Sequence, residues 1–149
     1  MSMQTTKPTA AIIQAWTSLV RTGQGVLAAV EYDLKKAGFP PLAWYDVLLE
    51  LRREEPAGLR PIELEKRVLL AQYNVSRITD RLERAGHLLK RPCPEDKRGS
   101  FLHITSQGCA LLKQMWPVYA EAIQRRVGQQ LSDADAKHLT SLLNRLDAQ

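Results

Sequence analysis

Basic side chains that could bind a polyanion are concentrated in one part of the sequence. Between Arg60 and Arg98 there are 10 Lys or Arg residues and 6 Asp or Glu residues, whereas the rest of the chain contains 11 basic and 10 acidic residues. The formal net charge of +5 therefore comes mostly from this segment. A local basic excess of this kind is typical of a surface that binds phosphate groups, and it is equally compatible with a solvated charged face.

The sequence contains no recognisable motif for catalysis or metal binding. It has no GxGxxG, P-loop, HExxH or CxxC pattern. The spacing of His87, Cys93, His103 and Cys109 fits no zinc-binding pattern. We therefore expect a protein that is not an enzyme and that binds no metal or cofactor.

The cellular location can also be predicted from composition. Two cysteines do not make a disulfide framework. No apolar run approaches the ~20 residues that span a bilayer, and the polar N-terminus lacks the apolar core of a signal peptide. We expect a cytoplasmic protein with no membrane partner.

Long helices are predicted at both ends of the chain. Apolar residues recur at helical spacing over residues 10–37 and again over 106–148, where Ser132 and Asp135 form a capping box. The first helix would be roughly 40 Å long. It is too long to be covered by its own small core, so we expect the terminal helices to pack against a second copy of the chain.

Residues 41–105 show the pattern of a winged helix-turn-helix. Two short helices that open with proline precede a third, amphipathic helix that ends at Gly86. Two short strands follow, LLKR and FLHIT, and the charged turn PCPEDKRGS between them places Lys97 and Arg98 near its tip. In this geometry the second helix of the motif enters the major groove, and a basic hairpin tip suits the minor groove. The predicted fold is mainly α with a small β-hairpin wing, in a single domain of residues 1–149.

The run SRITDRLERAGHLLKR, followed by EDKRGSFLHITSQG, resembles the DNA-binding core of the MarR family of bacterial transcriptional regulators. That family places Ser and Arg early in the recognition helix, D-R-L-E near its end, D-x-R at the wing and L-T-x-x-G before the next helix. The matching residues are Ser76, Arg77, Asp80, Arg81, Leu82, Glu83, Gly86, Arg91, Asp96, Arg98, Thr105 and Gly108. Three positions depart from the pattern, one of which is Ile104, where Leu is usual. Lys97 stands where Arg is frequent, and Ala71 occupies the expected N-cap of the recognition helix, where Ser is frequent.

The resemblance implies a homodimer that binds a pseudo-palindromic operator in double-stranded DNA, usually as a repressor, and is released by a small-molecule effector. Residues 41–105 would form the DNA-binding core, and residues 10–37 and 106–148 the dimerisation helices. We expect the side chains that face the major groove to be Gln72, Asn74, Ser76 and Arg77. Arg81 and Arg84 would contact phosphate or pair with Asp80 and Glu83. Arg98, with Lys97, would enter the minor groove, and Asp96 would hold that arginine by a charge-assisted hydrogen bond.

The sequence indicates less about the effector than about DNA binding. In the family that the chain resembles, phenolic compounds, oxidants or metal ions act as effectors, and ligands often bind between the dimer helices and the winged domain. The aromatic residues on helices that should border this junction are Trp16, Trp44, Tyr45 and Trp116. Arg21 or His103 could supply a counter-charge to an aromatic anion. The same aromatic residues could equally be ordinary core packing.

Two other interpretations remain open. Cys93 lies in the basic wing and could make the protein a redox-sensing regulator, although an inert thiol is the simpler interpretation, and Cys109 is similarly ambiguous. A winged helix can also serve as a protein-interaction module that does not bind DNA in a sequence-specific way. That function predicts a neutral recognition face, which the basic segment argues against.

Overall fold

A computed structural model describes residues 6–93 and 95–147, and for Asp96, Lys97 and Arg98 it describes the backbone alone. The described elements are mainly helical with one antiparallel hairpin, which confirms the predicted fold class. The helices and strands, in chain order, are α1 (Ala10–Lys36), α2 (Leu42–Arg53), α3 (Pro61–Arg67), α4 (Val75–Arg84), β1 (Leu88–Cys93), β2 (Asp96–Ile104), α5 (Ser106–Ile123) and α6 (Asp133–Asp147). Gln124–Gly128 forms a π-helical turn directly after α5.

The described chain divides into two compact units. The first comprises the described parts of Met1–Tyr32 and Glu121–Gln149, and the second comprises Asp33–Ala120. The second unit holds α2, α3, α4 and the hairpin, which are the elements of the predicted winged helix-turn-helix. The single domain of residues 1–149 and the proposed division of roles within it stay predictions.

Helix α2 lies at the centre of the second unit. It contacts α3, α4 and β2. Its apolar side chains Leu48 and Leu51 have no exposed surface, and neither have Leu64 of α3 and Leu82 of α4. Burial of a leucine side chain stabilises a fold by about 1.5–3 kcal/mol, so this shared core holds the two helices of the motif against α2.

The hairpin is longer than the sequence predicted. The strands extend into the expected turn, and Pro92 on β1 pairs with Ser100 on β2. Proline is tolerated here because both strands of a two-stranded sheet are edge strands, so its missing N–H need not face a partner. The pairing becomes irregular between Pro92 and Cys93. A further bridge joins Leu59 to Leu102, with N–H···O distances of 3.1 and 2.8 Å, and ties the hairpin to the segment before α3.

A single threonine connects the end of α4 to the start of α5. Gly86 ends the recognition helix with a φ of +85°, a conformation that glycine adopts without strain. The hydroxyl of Thr105 donates to the carbonyl oxygen of Gly86 at 2.7 Å and accepts from the N–H of Gly108 at 3.1 Å. Thr105 is therefore the N-cap of α5. A Cβ on Gly108 would collide with the carbonyl oxygen of His87, so the close approach requires glycine.

The first unit carries an unusual amount of exposed apolar surface. The predicted capping box of α6 is confirmed, because Ser132 and Asp135 exchange two hydrogen bonds of 3.1 Å each. The exposed large apolar side chains of α1 and α6 in this unit include Ile12, Ile13, Trp16, Leu19, Val20, Leu139, Leu142 and Leu143. None of the helices in the described ranges is both long enough and apolar enough to cross a membrane.

Replacement of Thr105 by valine should destabilise the fold by about 1–2 kcal/mol, since it removes the helix cap and leaves the Gly86 carbonyl without its hydroxyl donor. Thr105→Ser keeps the hydroxyl and should lose less than half of that amount. Denaturant-induced unfolding at a fixed protein concentration measures both. Equal destabilisation by the two substitutions would show that the hydroxyl contributes nothing.

Candidate nucleic-acid interface

The recognition helix begins later than the sequence predicted. Its N-cap is Asn74, whose side-chain oxygen accepts a hydrogen bond of 3.1 Å from the N–H of Arg77. Asparagine is among the best N-cap residues, whereas alanine is poor. The assignment of the N-cap to Ala71 was therefore wrong, and Ala71 and Gln72 lie in the turn before the helix, with both side chains exposed.

Helix α4 has one buried side and one basic exposed side. Val75, Thr79 and Leu82 face the core. The hydroxyl of Thr79 donates to the carbonyl oxygen of Ser76 at 3.0 Å, so this buried polar group is satisfied. The exposed side chains of the helix include the predicted contact residues Ser76, Arg77, Arg81 and Arg84. Within the described residues, none of these three exposed arginines forms an ion pair.

The turn between α3 and α4 is anchored to α2 by an aspartate. A side-chain oxygen of Asp46 accepts a hydrogen bond of 2.5 Å from the N–H of Leu69. Burial raises the pKa of Asp46, the Leu69 N–H opposes that rise, and the nearby Glu50 adds to it. A second anchor is the ion pair between Arg67 at the end of α3 and Glu54 after α2. The start of the recognition helix is thereby held by polar contacts as well as by the leucine core.

The acidic side chains of α4 pair with the wing rather than with the arginines of their own helix. Lys90 of β1 forms an ion pair with Asp80, and its ammonium nitrogen lies 3.9 Å from a carboxylate oxygen of Glu83. The predicted pairing of Arg81 and Arg84 with these carboxylates is not observed. The reason is geometric, since Lys90 lies on the neighbouring strand and reaches both. Lys90 lowers the pKa of Asp80, and Arg84 adds a smaller effect in the same direction.

The base of the wing is packed around an arginine that the sequence did not single out. The guanidinium of Arg60 lies 5.3 Å from the centre of the Phe101 ring, a cation–π distance, and 3.7 Å from the sulfur of Cys93. Cys93 is only 6% exposed, which disfavours a role as a redox sensor. Arg91 is exposed on β1, where it pairs with Phe101. The predicted interactions of the Asp96, Lys97 and Arg98 side chains lie outside the described residues.

The predicted effector residues are only partly brought together. In the second unit, the ring of Tyr45 stacks on Trp116 at 6.3 Å, and both rings contact Tyr119. Trp44 instead lies against His87, with ring centres 6.0 Å apart. Sequence reasoning missed Tyr119, although its position three residues after Trp116 on the same helix was a usable signal. Burial is the largest cause of the raised pKa of both Tyr45 and Tyr119.

The remaining predicted effector residues have other surroundings. Nδ1 of His103 lies 3.1 Å from a carboxylate oxygen of Glu55, so this histidine already has an acidic partner. Trp16 and Arg21 are both exposed, and they belong to the first unit. Among the described residues, no group of three or more His, Cys, Asp or Glu side chains is arranged to hold a metal ion.

An open cleft of about 460 Å³ lies beside the start of the recognition helix. None of the predicted effector residues lines it. No sequence pattern pointed to this cleft, because it is formed by the fold of α3 and the following turn. Its lining residues are Ile62, Glu65, Lys66, Ala71, Tyr73 and Val75.

Substitution of Asp46 tests the anchor of the turn. Because burial raises the folded-state pKa, the neutral carboxyl of Asp46 is favoured in the fold relative to the unfolded chain. The stability that it contributes below the unfolded pKa is lost as the pH rises through the folded pKa. Asp46→Asn keeps an oxygen acceptor for Leu69 without the charge. It should be at least as stable as the wild type at pH 7, and the difference should shrink as the pH falls toward about 4, near the unfolded pKa.

Asp46→Ala is the matched comparison, since it leaves the Leu69 N–H without its acceptor and should cost about 1 kcal/mol. Thermal unfolding of the three proteins across this pH range measures both effects. A destabilised Asp46→Asn variant with no dependence on pH would contradict the proposed balance of burial and hydrogen bonding.

Comparison with known proteins shows which family part of the chain is similar to. The model of the MarR family matches residues 37–99. The uncharacterized HTH-type transcriptional regulator YkoM of Bacillus subtilis is 36% identical over 93 residues, which cover 62% of this chain and 58% of YkoM. The chain thus spans less than two thirds of the length of that relative. The name of YkoM is that of a transcriptional regulator.

Solved structures agree in fold. The MarR family transcriptional regulator Sco3205 of Streptomyces coelicolor, in complex with DNA, superposes with a TM-score of 0.85 and 24% identity, covering 98% of this chain and 91% of Sco3205. BpsR of Bordetella bronchiseptica, whose DNA binding is regulated by 6-hydroxynicotinic acid, superposes with a TM-score of 0.77 and 23% identity, covering 90% of this chain and 98% of BpsR. The winged helix-turn-helix elements, the sequence motif and these comparisons lead to one conclusion: residues 37–99 match the MarR family, and the chain has the fold of solved MarR regulators.

Proposed function

We propose that the protein is a transcriptional regulator that binds an operator in double-stranded DNA as a homodimer. The observation that carries this proposal is the exposed basic side of α4. Ser76, Arg77, Arg81 and Arg84 lie on that side, while the opposite side of the helix is buried. Exposed arginines on a helix of this motif are suited to both base edges and phosphates.

The position of each side chain along α4 indicates its role. Ser76 and Arg77 lie in the first turn, the part of a recognition helix that meets the base edges. Gln72 lies in the turn before the helix and could reach the same groove. The side chain of Asn74 caps the helix, so we assign it to positioning the backbone rather than to reading bases. Arg81 and Arg84 lie further along the helix, where phosphate contacts are expected.

The wing supplies the second part of the interface. Strands β1 and β2 bring the backbone of Lys97 and Arg98 to the end of the hairpin. A basic hairpin tip is suited to the narrow minor groove beside a bound recognition helix. We retain the proposal that Arg98 and Lys97 enter that groove and that Asp96 orients the arginine.

The exposed apolar residues of the first unit support a homodimer. Leu139 is 44% exposed, Leu142 is 39% exposed and Leu143 is 38% exposed, all on α6, and Trp16 of α1 is 66% exposed. Soluble monomers rarely leave large apolar patches exposed to water. A two-fold axis would place two recognition helices about one helical turn of DNA apart, roughly 34 Å, as a pseudo-palindromic operator requires. The same assembly would work in the cytoplasm, where bacterial DNA is accessible.

The more specific part of the proposal is that a small aromatic effector binds the protein and causes it to release the DNA. The rings of Tyr45, Trp116 and Tyr119 form an aromatic cluster, and Trp116 is 50% exposed, so one ring remains available for stacking. Regulation of BpsR by 6-hydroxynicotinic acid supports this chemistry. Release of DNA by the effector would make the protein a repressor in its effector-free form.

The alternatives are less well supported. A module that binds only proteins does not need the exposed arginines of α4. A redox sensor that uses Cys93 would need an accessible thiol, and this thiol is buried.

Substitution of Arg77 by alanine should weaken binding to the selected operator by about tenfold or more and relax its sequence preference, because a base-contacting arginine is removed. The operator is first selected from a pool of random duplex DNA. Affinity is then measured against salt concentration for the wild type, Arg77→Ala, Arg84→Ala and the control Lys113→Ala, which removes one exposed charge on α5.

Arg84→Ala should reduce the slope of log affinity against log salt concentration by about one per subunit, without changing the preferred DNA sequence. The control should bind like the wild type. Absence of any enriched sequence for the wild-type protein, even at low salt, would refute the proposed function.

The dimer is tested on the apolar face of α6. The double substitution Leu142→Glu and Leu143→Glu should raise the dimer dissociation constant by at least about a hundredfold, since it would bury unpaired carboxylates. Sedimentation equilibrium measures the dissociation constant, and Ser141→Glu, which adds an exposed charge on the same helix, is the matched control. A double variant that stays dimeric would exclude this face as the interface.

A further inference from the structure

The recognition helix carries two carboxylates on a surface that must approach phosphate. Asp80 lies one turn after Ser76 and Arg77 and one turn before Arg84, and Glu83 follows on the next turn. Their side chains are 52% and 44% exposed, so neither is hidden in the core. Like charges across an interface weaken association, and a pair of free carboxylates here would oppose DNA binding.

Lys90 is placed to offset that repulsion. It lies on β1, and its ammonium group pairs with Asp80 and lies 3.9 Å from Glu83. One cation therefore serves two anions that belong to a different element. An aspartate is ionised at neutral pH at its ordinary pKa, and Lys90 lowers the pKa of Asp80 further, so the charge of this carboxylate has to be balanced.

The same contact has a mechanical consequence. Helix α4 packs against β1, and the Lys90 bridge spans this junction on the exposed side. Only one residue, Arg91, separates Lys90 from Pro92, where the strand continues into the irregular part of the hairpin. The ion pair thus holds the strand that leads to the wing tip against the helix that enters the major groove.

We propose that Lys90 is a positioning residue for DNA binding, which neutralises Asp80 and Glu83 and fixes β1 on α4 without itself contacting DNA. The proposal rests on the proposed DNA-binding function. It adds to that function a residue that is not one of the arginines of α4. Lys90 is 30% exposed, less than either of its partners, as expected for a side chain that lies over the helix–strand junction.

Direct phosphate contact by Lys90 is the competing explanation, and a double-mutant cycle separates the two. Lys90→Met retains the length of the side chain and removes its charge. If Lys90 acts through the carboxylates, its substitution weakens DNA binding only while those carboxylates are charged. If Lys90 contacts phosphate, its substitution weakens DNA binding equally in either background.

The experiment measures operator affinity at several salt concentrations for four full-length proteins. They are the wild type, Lys90→Met, the double variant Asp80→Asn with Glu83→Gln, and the triple variant that combines all three changes. We expect Lys90→Met to weaken binding about fivefold at low salt in the native background, and to have almost no effect in the background of the double variant, where both carboxylates are replaced by neutral amides. Lys90→Arg, measured in the same way as a fifth protein, keeps the charge and should bind within about twofold of the wild type.

The outcomes also distinguish this proposal from the one on which it rests. Equal losses from Lys90→Met in both backgrounds, with a smaller salt dependence, would overturn the positioning role in favour of a phosphate contact. No loss in either background would overturn it as well. Failure of the wild type to bind any duplex DNA would instead refute the proposed function. Thermal unfolding of each variant verifies that the affinities refer to folded protein.

Discussion

The burial of α2 is the constraint on which the second unit depends. Leu48 and Leu51 are completely excluded from solvent, and the helix contacts α3, α4 and β2 at once. With these leucines buried, the apolar side of α4 has only one place to pack. Its polar side is then necessarily presented to solvent, so the orientation of the arginines is a consequence of core packing rather than of their own interactions.

Polar contacts refine an arrangement that the core has already selected. Asp46 holds the turn before the recognition helix, Asn74 caps that helix, and Thr105 connects its end to α5. Each bond contributes about 1 kcal/mol, which is small beside the core but decisive for where a helix begins and ends. The first turn of α4 matters most, since a shift of one residue rotates every side chain by about 100°. Its N-cap was misplaced at Ala71 because that assignment followed the family pattern, whereas the side chain that caps the helix is Asn74, a better capping residue type.

The acidic and the basic side chains of α4 have different surroundings. The carboxylates of α4 are balanced by Lys90 from the neighbouring strand, while the arginines of the same helix remain turned toward solvent. This division of partners explains how a helix with two acidic residues can still present a basic surface. It also shows why counting charges along a segment, which treats every residue alike, cannot tell paired from available cations.

What the sequence alone determined is local: the helix predicted over residues 10–37, the capping box of Ser132 with Asp135, the basic segment and the family motif. Such signals depend on residue types within a few positions of one another, so they survive in any fold. Tertiary structure decided that the hairpin extends past Pro92, that one lysine serves both carboxylates of α4, and that Cys93 is buried beside Arg60. Those outcomes depend on side chains that are distant in the chain and meet only after the hairpin packs on α4, so no local pattern could specify them.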